Sequence, residues 1–339
     1  PIAGTLSGNQ NICVGLTSTF SSTTLGGTWS SSDITVATIN PTSGLVTGVA
    51  AGTATMTYTV VGTGGCANVT ATRIVTVTAA PIAGTLSGNQ NICVGLTSTF
   101  SSTTSGGTWS SSDITIATIN PASGLVTGVA AGTATMTHTV LGTGGCVNVT
   151  ATRTVTVTAA PIAGTLSGNQ NICVGLTSTF SSTTSGGTWS SSDVTVATIN
   201  SASGLITGVA AGTATMTYTV VGTGGCANVT ATRIVTVTAA PIAGTLSGNQ
   251  NICVGLTSTF SSTTSGGTWS SSDITIATIN PASGLITGVA AGTATMTYTV
   301  LGTGGCANVT ATRTVTVTAA PIAGTLSGNQ NICVGLTFG

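Results

Sequence analysis

The segment PIAGTLSGNQNICVGL opens at Pro1 and returns at Pro81, Pro161, Pro241 and Pro321. A fixed period of 80 residues means one folding unit made in series. The four full copies differ in only ten of the eighty columns, among them Leu25/Ser105/Ser185/Ser265, Val36/Ile116/Val196/Ile276 and Ile74/Thr154/Ile234/Thr314. A unit of this size is large enough for a small core of its own, which favours separate beads over a merged solenoid. The expected domains are residues 1–80, 81–160, 161–240 and 241–320, followed by a partial fifth copy at 321–339 that departs from the pattern at Phe338-Gly339. That last segment is expected to lie as an unfinished first strand or to add a strand to a neighbouring chain.

Within one copy, apolar residues alternate with threonine at period two, the pattern of a strand with one face buried. In Thr53–Val60 the side chains of Ala54, Met56, Tyr58 and Val60 share one face and four threonines share the other. Threonine suits the outer face because its branched Cβ favours extended backbone while its hydroxyl stays hydrated. The expected strands are A (Ile2–Leu6 with Asn11–Val14), B (Leu16–Ser21), C (Thr28–Ser31), D (Val36–Asn40), E (Leu45–Val49), F (Thr53–Val60) and G (Val69–Thr78). Gly26-Gly27, Asn40-Pro41, Ser43-Gly44, Ala51-Gly52 and Gly62–Gly65 supply the turns. Seven short strands at this spacing predict a β-sandwich with Phe20, Trp29, Ile39, Val46 and Met56 in its core.

Charge is nearly absent. The chain has four arginines and four aspartates, with no lysine or glutamate. Neutralising phosphates takes clustered cations, so nucleic-acid binding is excluded. Threonine and glycine interrupt every apolar run well short of a membrane-spanning helix. The chain begins in phase with the repeat and without a signal peptide, so it reads as a mature fragment or a section of something longer. A neutral surface tends to associate, which points to packing against copies of itself or to solvation by glycans and hydroxyls.

Two stretches carry a resemblance. Trp29-Ser30-Ser31-Ser32-Asp33-Ile34-Thr35-Val36-Ala37-Thr38-Ile39, with Gly44-Leu45-Val46-Thr47-Gly48-Val49-Ala50-Ala51-Gly52-Thr53-Ala54, is similar to the signature of bacterial immunoglobulin-like group 2 domains. Ile12-Cys13-Val14-Gly15 and Gly64-Gly65-Cys66 resemble the versions found in large cell-surface adhesins and gliding-associated proteins of Bacteroidota, although the C-terminal sorting domain usual in such proteins is absent. The resemblance implies an all-β array of tandem immunoglobulin-like β-sandwich domains joined head to tail, and a non-enzymatic module that spaces or displays something at a cell surface.

Each full copy holds two cysteines, Cys13 and Cys66 in the first, with none of the clustering that zinc requires. Such pairs in a threonine-rich β protein point to disulfides formed outside the cell. In an immunoglobulin-type topology Cys13 precedes B at the C-terminal pole and Cys66 precedes G at the N-terminal pole. A strand of about nine residues separates the poles by ~30 Å, whereas a disulfide needs Cα atoms within roughly 7 Å. Head-to-tail packing would instead bring together Cys13 with Cys146, Cys93 with Cys226 and Cys173 with Cys306, leaving Cys66, Cys253 and Cys333 for further units. The alternative pairs Cys13 with Cys66 inside each copy and leaves only Cys333 over; both schemes stand at this point.

Little else could carry chemistry. His138, the only histidine, stands where the other copies have tyrosine and reads as a drifted structural position. Asp33 and Arg73 are the one charged pair per copy, and a structural ion pair between them is expected, with a nearby carbonyl as the alternative partner for Arg73. One carboxylate per copy supplies neither a general acid/base pair nor a calcium cage, so no catalytic, cofactor or metal site is expected. Asn68-Val69-Thr70 is an N-glycosylation sequon that recurs at Asn148, Asn228 and Asn308. The leading function is an extracellular structural stalk or filament, with the chain itself as partner. The competing one is an adhesin whose repeats bind polysaccharide or another surface ligand, with Trp29 and Tyr58 as sugar-stacking candidates whose inward parity favours the core.

Overall fold

Alternating threonine builds the strands of every copy. In the computed structural model, which describes residues 1–327, the first copy holds nine. They are β1 (Leu6–Ser7), β2 (Asn11–Cys13), β3 (Thr17–Thr19), β4 (Ser21–Ser22), β5 (Thr28–Ser31), β6 (Ala37–Ile39), β7 (Leu45–Gly48), β8 (Gly52–Val60) and β9 (Val69–Thr78). The same nine recur in the other three copies, and no helix occurs among the described residues. The chain falls into two compact units: Pro1–Pro161 with Val221–Asn228, and Ile162–Val220 with Val229 onward. The first holds copies one and two together with a loop of copy three. The second holds the rest of copy three and copy four.

One face of each sandwich is a four-stranded sheet in the order β2-β9-β8-β5, and the other is a three-stranded sheet in the order β3-β7-β6. A two-stranded ribbon, β1-β4, completes the copy. All pairings are antiparallel except β2 with β9, which run parallel with Cys13 opposite Thr78. That register sets Cys13 beside the last residue of β9.

Expected strand B breaks in two, and the two expected stretches of A take different partners, β1 with β4 and β2 with β9. Phe20 sits between β3, which pairs with β7, and β4, which pairs with β1. Its N–H donates to the carbonyl of Gly44 at 2.8 Å, and its ring drops into the core, 1 % exposed. Strand A begins later than expected: Ile2 is 74 % exposed, because Gly4 turns the chain at φ 71° before Leu6 enters the ribbon. Gly44 is required where it stands. Its φ is 70°, and a Cβ there would run into the Phe20 carbonyl.

The core of each copy is small and aromatic. Phe20, Trp29, Ala37, Val46, Met56, Val75 and Val77 are buried, and each large apolar side chain so buried contributes about 1.5–3 kcal/mol. Ile39 is only half-buried, since β6 is a three-residue edge strand that packs against the cluster from outside. Trp29 meets Phe20 edge-on at 6.0 Å and Tyr58 at 4.8 Å between ring centroids. The Tyr58 hydroxyl donates to the carbonyl of Thr24 at 2.8 Å and accepts from the Gly27 N–H at 2.7 Å, closing the 24–27 turn over the core.

Of the fifth partial copy, residues 321–327 form no strand and are exposed. Cys333, Phe338 and Gly339, with the rest of the expected first strand, lie outside the described residues.

His138 takes the tyrosine position in copy two. It is 3 % exposed and lies 4.7 Å from Trp109, but its ring reaches only the Ala83 carbonyl, 3.4 Å from Nδ1. That contact lies outside the 104–107 turn, so the turn anchored twice by tyrosine elsewhere takes no hydrogen bond from the His138 ring. His138→Tyr is expected to stabilise copy two by about 1 kcal/mol, the worth of a regained hydrogen bond. Thermal unfolding by calorimetry checks this, and an unchanged or lowered transition counts against it.

Candidate functional site

The residues that could do something lie where one copy meets the next. Cys13 ends β2 and is buried beside Thr78, the last residue of β9. Cys66 stands in the exposed loop before β9 starts at Val69. The ten residues of β9 therefore lie between the two cysteines of one copy, roughly 33 Å of strand. Bonding inside a copy is ruled out by that length. Instead, Cys13 joins Cys146, Cys93 joins Cys226 and Cys173 joins Cys306, each with Cα atoms 4.8 Å apart and 133 residues between partners in sequence. Among the described residues Cys66 and Cys253 carry free thiols; Cys333 lies outside them.

The loop that delivers the second cysteine is shaped for its seat. Gly144 and Gly145 take φ of 60° and 86°, a path open to glycine. A Cβ on Gly144 would strike the Thr78 hydroxyl, and one on Gly145 would come within 3.1 Å of the Asn11 carbonyl. Gly224 meets Thr158 and Gly304 meets Thr238 in the same way. In the first copy the same loop is open, with nothing within 4 Å of a Cβ on Gly64 or Gly65. The loop is also braced from behind, because the Asn68 side-chain carbonyl accepts from the Gly62 N–H at 3.0 Å. Asn148, Asn228 and Asn308 repeat that bond at 2.9 Å. All four sequon asparagines are exposed, and the brace uses only their carbonyl oxygens, leaving the amide nitrogen to which a sugar would attach outside the bond.

Asp33 and Arg73 do not pair. Arg73 faces inward from β9, as its parity with Val75 and Val77 requires, and passes over the Phe20 ring at 5.7 Å. Its Nη1 and Nη2 donate to the carbonyls of Leu6 (3.2 Å) and Gly8 (2.7 Å), at the break between β1 and β2, while Nε has no partner. Asp33 lies in the turn after β5, where its Oδ1 accepts the N–H of Thr35 at 2.9 Å together with the Thr35 hydroxyl. The hydroxyl, then the N–H, hold the Asp33 carboxyl below its ordinary pKa of 3.8. The stabilisation this turn draws from ionised Asp33 is thus fully present above that value and lost as pH falls through the lowered one. The ion pair expected from the sequence gives way to a carbonyl clamp and a separate turn.

Trp29 and Tyr58 are each 5 % exposed and offer no ring face to a ligand. Above them lies a shallow cleft of about 290 Å³ lined by Ser21, Thr24, Gly27, Thr42 and Ser43, with counterparts in copies two and four. No group of three or more His, Cys, Asp or Glu is placed to hold a metal among the described residues.

The model of the bacterial Ig-like domain (group 2) matches residues 8–71, 71–151 and 231–311, well over half of the chain. The chain belongs to that family. No curated protein sequence matches these bacterial Ig-like repeats. Among solved structures, a Ca2+-stabilised adhesin with which an Antarctic bacterium binds ice is 16% identical, covering 94% of this chain and 99% of its own at TM-score 0.32. Drosophila N-cadherin EC1-4 is 10% identical over 89% of this chain and 94% of its own, at 0.25. A SusE-like surface-located polysaccharide-binding protein of Bacteroides thetaiotaomicron is 13% identical over 93% of this chain and 72% of its own, at 0.21.

A nearby carbonyl was the alternative expected for Arg73, and its inward parity signalled it, without naming Leu6 and Gly8 as the receivers. The loop seat was not among the sequence-based expectations. The Gly-Gly-Cys run held a turn signal but no sign of what it would rest on. Gly144→Val, which sets a side chain against Thr78, is expected to open the Cys13–Cys146 bond, exposing two more alkylatable thiols and lowering stability by about 2–4 kcal/mol. Gly64→Val, in the open loop, should leave the thiol count as in the parent. Iodoacetamide mass shifts read both, and equal counts for the two variants would refute the seat.

Proposed function

We propose that this bacterial Ig-like chain is an extracellular structural spacer, a stalk or filament section that holds something away from a cell surface. The observation that supports it is the series of three disulfides that couple each copy to the next. Bonds of this kind persist in oxidising compartments, and their placement at junctions rather than in cores serves the connection between copies. The family, and a surface rich in threonine and serine with almost no charge, fit the same role. Self-association follows from that neutrality, and the free thiols of Cys66 and Cys253 stand at positions that are bonded elsewhere in the series.

Direct binding of polysaccharide is the competing reading. The hydroxyl-lined cleft above Trp29 favours it, and it recurs in several copies. The burial of both rings weighs against it, because stacking on a sugar needs an open face.

A spacer's reach grows with the number of copies. Excising residues 81–240 removes two periods in register. The maximum dimension from small-angle X-ray scattering is expected to fall by about 80 Å, some 40 Å for each lost copy. A dimension that hardly changes would contradict the spacer. Tryptophan fluorescence that shifts on titration with a surface polysaccharide, at unchanged dimension, would favour the binding reading.

A further inference from the structure

We infer that the disulfide series limits how far the chain can be stretched, making the array a tether that does not lengthen when its domains unfold. The limit follows from connectivity alone. The loops closed by Cys13–Cys146, Cys93–Cys226 and Cys173–Cys306 overlap, each starting before the previous one ends. The shortest covalent route from Cys13 to Cys306 therefore crosses to Cys146, follows the chain to Cys173 and crosses again. That route holds roughly 27 residues in place of roughly 293, so it spans at most about 110 Å instead of about 1,050 Å at ~3.6 Å per residue.

Little slack remains in those residues. Val149–Thr158, Leu166–Ser167 and Asn171–Cys173 are already strand, near 3.3 Å per residue against the maximum of about 3.6 Å. Residues 14–145 and 174–305, which include most of every copy, hang as side loops off the loaded route. Rupture of their sheets releases no length. Force applied at the ends passes through covalent bonds and bypasses the hydrogen-bonded cores that would otherwise yield one by one.

In an unlinked array of the same copies, each unfolding event adds about 250 Å, the stretched length of 80 residues less that of a folded domain. The bonded array forfeits that compliance and keeps its reach under load. The use of such a limit rests on the spacer reading, but the limit itself does not. The scattering experiment can fail while the limit holds, and the reverse.

The test is optical-tweezers extension of the full chain with peptide-tag handles fused to both ends. The oxidised chain is expected to stop at roughly 270 Å however hard it is pulled below bond rupture, with no 250 Å steps. After reduction with a phosphine it should reach roughly 1,200 Å in four such steps. The double variant Cys13→Ser/Cys146→Ser, which shifts the route to Cys93–Cys226, should stop at roughly 650 Å. That stopping length is read from the covalent route and does not need folded copies. An oxidised chain that extends to roughly 480 Å in four short steps, the length set by pairing inside each copy, would overturn the inference. So would oxidised and reduced chains of equal length.

Discussion

The two cysteines of a copy are kept apart by the strand between them. β9 starts just after Cys66 and ends opposite Cys13, and a strand is stiff over its roughly 33 Å. Neither thiol can find its partner at home, and each is presented at an end where another copy is the nearest source of sulfur. The separation thus turns two ordinary cysteines into connectors. The parallel pairing of β2 with β9 aligns Cys13 with Thr78, and the double-glycine loop brings the incoming cysteine down onto the same residue.

The scarcity of charge gives that connection its weight. Arrays of domains often set the angle and register of neighbours with salt bridges, but here each copy has one arginine and one aspartate, and both are occupied inside the copy. Arg73 holds the broken first strand to β9 across the Phe20 ring, and Asp33 holds the turn after β5. What remains at a junction is steric fit and a covalent bond. A glycine loop pressed against a threonine hydroxyl tolerates no side chain, and so specifies the approach without electrostatics.

Much of this was legible from residue order. The alternation in Thr53–Val60 and Val69–Thr78 placed β8 and β9 with their inward faces, because period two admits no other buried surface. The same parity placed Met56 and Tyr58 in the core. Pole geometry offered the pairing between copies that the structure joins, beside the pairing inside each copy, since strand length and bond length are both fixed quantities. The interruption of strand A between its two stretches was legible, but the break in strand B was not. Phe20 follows Thr19 in an unbroken strand pattern, and only the switch of pairing partner, from β7 to β1, interrupts it. Arg73 was ambiguous for a related reason: its direction was visible, but the carbonyls that receive it are exposed to it only because strand A breaks at Gly8. The seat of Gly144 on Thr78 joins residues from two copies that no local pattern relates.

The chain's composition also offers a direct check on the connections. With no lysine and arginine only at positions 73, 153, 233 and 313, trypsin cuts between the repeats' cysteine pairs and never within one. After free thiols are blocked and the unfolded chain is digested without reduction, mass spectrometry should find residues 1–73, 74–153, 154–233 and 234–313 as one covalently joined species, which falls into four on reduction. Four separate peptides before reduction would place every bond within its own repeat, and the account of a bonded series would be wrong.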